Sequence, residues 1–210
     1  AVAAGGIISL LKSLPLIIRT FSEAIKVYGQ KSESVLRTQQ DLPISVIGLG
    51  VLAVALFIWL IPAIPVNPLG AIIIVVFGFF FATVSSRMVG LVGSSNNPIS
   101  GMTIATLIAV CVLFKLAGND SMESMIAAIA IGSVICIIAA MAGDTSQDLK
   151  TGFLLGATPK KQQISEIIGG AVAALAIGGI LLLLGKAWGY GSEELPAVQA
   201  SLMKMVVEGV

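Results

Sequence analysis

Histidine is missing altogether from this chain, and only 11% of its 210 residues are charged. With no histidine and no paired nucleophile and base in the apolar stretches, the residues give an enzyme little support. The two cysteines, Cys111 and Cys136, fall inside apolar runs, where a free thiol behaves as a small hydrophobe. They suggest neither a disulfide framework nor a metal pair. No metal site and no cofactor is read from the residues. A formal net charge of +1 argues for neither nucleic acid nor an acidic partner. Polar side chains are also too few to cover a soluble globule of this length. Hydrophobic residues make up 57% of the chain and the mean hydropathy is +1.03, the composition of an integral membrane protein.

What is present is a series of apolar runs, at residues 43–66, 69–84, 102–116, 125–142 and 167–185. Each approaches the roughly 20 residues that a bilayer requires of a helix. This predicts an all-α, polytopic transmembrane helix bundle, a single membrane domain over residues 1–210. Pro62, Pro65 and Pro68 close the first run in a tight, uncharged turn. Within that run VIGLGVLA imitates a dinucleotide fingerprint, but no acidic residue follows before Asp120 and no βαβ context surrounds it. The opening stretch, residues 1–18, is apolar too, yet Gly5, Ser9, Lys12, Ser13 and Thr20 fall near one face at helical spacing. Lys12 either lines a pathway or lies near the end of a helix that begins upstream. The chain opens without Met and closes within a helical pattern, so it reads as a fragment of a longer protein whose remaining helices complete the bundle. The opening stretch does not read as a signal peptide.

Charge placement predicts orientation. The polar connectors at 19–42 and 143–166, with Arg87 between them, carry Arg19, Lys26, Lys31, Arg37, Lys150, Lys160 and Lys161. The alternate connectors at 62–68, 117–124 and 186–196 carry only Lys186. Helix parity puts the basic connectors on one side, expected to be the cytoplasm. The connector 143–166 reads as a polar loop. Asn119, Asp120 and Ser121 form a glycosylation triplet in an expected outer loop. Gly170, Ala174 and Gly178 recur at intervals of four, a small-residue stripe that places the last run inside the bundle. Gly132 and Ser133 give the preceding run a weaker version of it.

The stretch GLVGSSNNPISG at residues 90–101 puts polar, kink-forming residues between two apolar runs. It predicts a broken helix or re-entrant segment near residues 86–101, since irregular backbone at membrane depth survives only where protein or a watery cavity covers it. Ser94, Ser95, Asn96, Asn97 and Ser100 both donate and accept hydrogen bonds, which suits a zwitterionic peptide backbone, and they are the candidate substrate-binding residues. A helix restarting near Ser100 would aim its N-terminal N–H groups at a substrate carboxylate. A plain hairpin turn, with Asn97 or Ser100 capping the next helix, is the alternative. In GDTSQDLKTG at residues 143–152, Asp144, Asp148 and Lys150 are candidates for proton coupling or gating. There the alternative is Asp144 as an N-cap and the others as a solvated face. GFLLGATPKK lacks the Gly-Lys-Ser/Thr ending of a phosphate loop, against an ATPase.

SSNNPISGMTIATL at residues 94–107 and AGDTSQDLKTGFLLGATPKKQQISEIIGG at residues 142–170 closely resemble the oligopeptide transporter superfamily, which includes the yellow stripe-like carriers of metal chelates. The tail PAVQASLMKMVVEGV resembles the segment that follows in its bacterial members. The resemblance implies a much longer protein performing secondary active transport, with small peptides or metal-chelate compounds carried inward together with protons. It implies a bacterial inner (cytoplasmic) membrane, with the lipid bilayer and the rest of the full-length chain as partners. The residues by themselves leave open a channel-like pore or a non-transporting membrane scaffold.

Overall fold

A computed structural model of the chain describes residues 36–62, 66–118 and 121–209, together with Pro15 and Arg19. The polar face around Lys12, residues 20–35 of the first connector, and Asn119 and Asp120 of the glycosylation triplet lie outside the described residues. Among the described residues there is no strand. The helices are α1 (Ile44–Leu60), α2 (Pro68–Val92), α3 (Ile99–Leu116), α4 (Met122–Leu155), α5 (Pro159–Ala187) and α6 (Val198–Glu208). The first five of these are, by length and composition, able to cross a membrane, matching the five apolar runs.

The helix starts follow from local chemistry. Asn67 accepts from the Gly70 N–H at 2.8 Å, and Pro68 stands at the first helical position of α2, where a missing N–H costs nothing. Ser121 caps α4 by accepting from the Ser124 N–H. At the far end of α4, Gly156 adopts φ +72 and the Ala157 N–H returns to the Gly152 carbonyl at 2.8 Å, a glycine stop in the left-handed conformation.

α4 is the post on which the fold is built. It packs most extensively on α2 and next on α3. Gly70 opposes Ile131, Gly78 opposes Ile138 and Ser85 meets Ala139, so α2 runs parallel to α4. Leu107 packs on Gly132 while Asn97 packs on Gly143, so α3 runs antiparallel to it. A Cβ on Gly132 would stand 2.6 Å from Leu107 Cδ2, so the weak small-residue feature of this helix is a packing notch. Ser133 stays exposed and bonds back to the Ile129 carbonyl. Val84, Leu107, Val110, Ile131 and Ile135 form the fully shielded centre. Thr103 and Thr106 return their hydroxyls to the Ile99 and Met102 carbonyls, so neither leaves its hydroxyl proton unused in that apolar interior. The short amphipathic α6 lies against α3 and α4 with Val207 buried.

One sequence expectation is corrected. Residues 143–166 are not a loop: α4 continues unbroken through Leu155 and α5 starts at Pro159, leaving residues 156–158 as the connection. Hydropathy registers where apolar burial ends, whereas the helix persists wherever its hydrogen bonds do. At 34 residues α4 is about 51 Å long, against a hydrocarbon core of about 30 Å. α5 is not enclosed by the described helices: none of its described side chains is buried, a Cβ on Gly170 would meet only Met141 Cε, at 3.4 Å, and one on Gly178 nothing within 4 Å. A stripe of small residues says that a helix is able to pack closely, not that its partner lies among these helices.

The connector before α1 closes onto the α4–α5 hairpin. Arg37 Nη2 donates to the Gly156 carbonyl at 2.9 Å, and the Lys160 N–H donates to the Gln40 carbonyl at 2.8 Å. Gln163 accepts from the Leu42 N–H at 2.8 Å and donates to Asp41 Oδ1 at 3.0 Å. Thr158 makes no side-chain cap, so the Gln40 carbonyl takes over one of the free N–H groups at the start of α5. Geometry thus brings parts of the two basic connectors to one end of the bundle.

Candidate functional site

The polar break sits where α2, α3 and α4 meet. α2 ends at Val92 because Gly93 takes φ +82, a conformation that L side chains rarely adopt. One 3-10 turn follows at Ser94–Asn96, and then Pro98, which has no N–H, heads α3. Nearby groups absorb much of the freed backbone. Asn96 Nδ2 donates to the Val92 carbonyl at 3.1 Å, the Asn97 N–H to the Ser94 carbonyl at 3.2 Å, and the Ile99 N–H to the Asn97 carbonyl at 2.8 Å.

Two serines on α2 tie this turn to α4. Ser85 Oγ donates to the Ala139 carbonyl and accepts from Asn97 Nδ2 at 2.6 Å. Ser86 Oγ donates to the Ala142 carbonyl at 3.1 Å, and Ser146 Oγ donates back to the Ser86 carbonyl at 3.4 Å. Gly143 makes the close approach possible, since a Cβ there would lie 2.7 Å from Asn97 Nδ2, 2.9 Å from Val89 Cγ2 and 3.0 Å from Ser85 Oγ. Asn97 Oδ1 is shielded from solvent and receives no hydrogen bond. Such an orphaned acceptor costs about 1–3 kcal/mol.

Of the residues singled out in the sequence, Asn97 alone enters this contact. Ser94 is half-buried in the turn, Ser95 and Ser100 are exposed, and Asn96 is exposed with its amide N–H engaged at the end of α2. Neither Asn97 nor Ser100 caps α3, because Pro98 occupies the cap and no side-chain bond closes it. Asp144, Asp148 and Lys150 stand on α4 beyond Gly143, all exposed, with Lys150 Nζ 5.2 Å above the centroid of the Phe153 ring. Asp144 lies inside the helix and so is not an N-cap. The sequence reading missed Ser85, Ser86 and Gly143. Their signal was the polar Ser85-Ser86-Arg87 run closing an apolar stretch, faced by the glycine before Asp144.

A cavity of about 440 Å³ opens between the end of α4 and the start of α5, lined by Asp148, Thr151, Lys161, Gln162 and Glu166 among others. Gln162 Nε2 donates to the Asp148 carbonyl at 3.1 Å, while Oε1 of Gln162 and Oε1 of Glu166 are shielded and without donors. Among the described residues no group of His, Cys, Asp or Glu is placed to hold a metal ion.

Comparison with known proteins extends these observations. The family profile described as OPT oligopeptide transporter protein matches residues 1–210. A Haemophilus influenzae protein bearing an oligopeptide-transporter name is 36% identical over 177 residues, which are 71% of this chain and 28% of that protein. A Saccharomyces cerevisiae protein with an oligopeptide-transporter name is 32% identical over 133 residues, 62% of this chain and 18% of its own length. An Arabidopsis thaliana protein named for metal-nicotianamine transport is 33% identical over 110 residues, 49% of this chain and 15% of its own. The chain thus spans only a minor part of the length of each relative. No solved structure matches it.

Proposed function

The chain belongs to the OPT oligopeptide transporter family, and from that premise we propose that it forms part of a secondary active, proton-coupled carrier of small oligopeptides or metal-chelate compounds. The membrane is the cytoplasmic one of a bacterium, with residues 19–42 and 143–166 on the cytoplasmic side. One observation carries this reading: the polar turn that joins the antiparallel helices α2 and α3 is pinned to α4, with Ser85 holding Asn97 and Gly143 admitting it, rather than left loose at the surface. Helix ends and polar turns held against a bundle suit a substrate site, because free backbone groups and polar side chains there replace the water that the substrate gives up. In this reading Ser94, Ser95, Asn96, Asn97 and Ser100 meet the polar groups of the substrate, and Asp144, Asp148 and Lys150 on the α4 extension serve proton coupling or gating.

The test uses the full-length transporter in proteoliposomes, with uptake of labelled tri-alanine driven by an imposed pH gradient. Asn97→Ala should weaken apparent affinity by about 1 kcal/mol or more, the worth of a hydrogen bond at a desolvated site, in protein that still inserts. Normal uptake by well-expressed Asn97→Ala would remove the binding role of the break. Asp144→Asn should keep substrate binding while uptake loses its dependence on the gradient. Unchanged gradient-driven uptake in that variant would leave Asp144 without a part in coupling.

A further inference from the structure

Ser85 decides which end of the Asn97 carboxamide is left for a ligand. Its side chain is 0% exposed, and its hydroxyl carries a single proton. The Ala139 carbonyl is able only to accept, so that proton lies on the Ser85–Ala139 bond. What Ser85 turns toward Asn97 is therefore a lone pair, and the group 2.6 Å away has to be the N–H end, Nδ2. Gly143 closes the other side of Nδ2, leaving no room there for a side chain. The carboxamide is thereby fixed in one of its two orientations, with Oδ1 at the opposite end and without a donor.

We propose that Ser85 and Gly143 hold Asn97 as a pure acceptor, so that the break selects substrate groups bringing N–H, such as a peptide α-ammonium, over carboxylates. The inference rests on the break being the substrate site. It reverses the polarity that the N-terminus of α3 alone would favour. Oδ1 is shut off from solvent in this conformation, so the ligand meets it in a conformation where the break is open, as alternating access requires. Ser85 and Gly143 are positioning residues: they touch Asn97, not the ligand.

The experiment measures competition against labelled tri-alanine uptake in the full-length transporter, using tri-alanine amide, which keeps the ammonium, and propionyl-Ala-Ala, the deaminated peptide, which lacks the terminal nitrogen and keeps the carboxylate. Wild type should bind the deaminated peptide about tenfold more weakly than the amide, the penalty for leaving a buried acceptor unmet. Ser85→Ala frees the carboxamide to turn over, so that ratio should fall toward one. In Asn97→Asp the hydroxyl proton of Ser85 turns from the Ala139 carbonyl to one carboxylate oxygen, and the other oxygen remains an acceptor, so the preference should be kept. A merely structural role for Ser85 would lower uptake of all three peptides without moving the ratio. An unchanged ratio in Ser85→Ala overturns the proposal, as does a wild-type preference for the deaminated peptide or wild type binding none of the three. If Ser85→Ala does not fold, loss of the preference in Asn97→Asp overturns it instead. Should Asn97→Ala transport tri-alanine normally, the parent reading fails; should Asn97→Ala lose affinity while Ser85→Ala keeps the ratio, only this inference fails.

Discussion

Gly143 contributes nothing but its lack of a side chain, and the seating of the break depends on that. Adding one methyl group sets it against Asn97 Nδ2, Val89 and Ser85 Oγ at once, and two of those belong to helix α2, the one packed most extensively on α4. Gly143→Ala should therefore destabilise the protein by about 1–3 kcal/mol, the range for overpacking a filled site, and depress uptake with it. Gly90→Ala is the control: a Cβ there meets nothing within 4 Å, and alanine favours the helix by up to about 1 kcal/mol. Thermal unfolding in detergent of the two variants should move in opposite directions. At this scale the sequence was half legible. Asn97 stands out because amides are rare among apolar runs, whereas Ser85 and Gly143 look like ordinary helix residues until the fold sets them beside it. Nothing in a linear pattern reports that a serine 12 positions back spends its proton on another helix.

The continuity of α4 makes a sharper element-scale prediction. Proline inside a helix removes a hydrogen bond and clashes with the preceding turn, at a cost of about 3 kcal/mol, but a loop tolerates it. Thr145→Pro should therefore lower thermal stability markedly and disorganise the α4–α5 hairpin, where a polar loop at 143–166 would have absorbed it. Limited proteolysis at residues 144–155 should be slow in wild type and fast in the variant. The five spans were readable because each apolar run exceeds what a soluble core helix needs. Their ends were not, since the chemistry that stops a helix is local. Gly156 with φ +72 ends α4 some dozen residues after hydropathy has fallen away. The small-residue face of α5 is a different case: Gly170, Ala174 and Gly178 announce a packing face without naming what covers it, and none of the described helices does.

At the scale of the whole molecule, the contacts of Arg37, Gln40 and Leu42 with the α4–α5 hairpin join stretches that charge counting alone had put on the same side. Cysteines at Gln40 and Lys160 should cross-link on mild oxidation, because the Gln40 carbonyl and the Lys160 N–H are 2.8 Å apart. A membrane-impermeant thiol reagent should reach single cysteines at Gln40 and Lys161 from one side and one at Tyr190 from the other. Labelling of all three from the same side would overturn the parity. These contacts also fix an order of events. They span 119, 121 and 122 positions of sequence, so Arg37, Asp41 and Leu42 leave the ribosome well before their partners exist. At about 5–20 residues per second the interval is on the order of ten seconds, long enough for α1 to α4 to enter the bilayer while the connector stays hydrated. A chain interrupted before α5 would carry α1 with its leading end untethered, so the span made early is the one whose docking has to wait for the synthesis of a later helix.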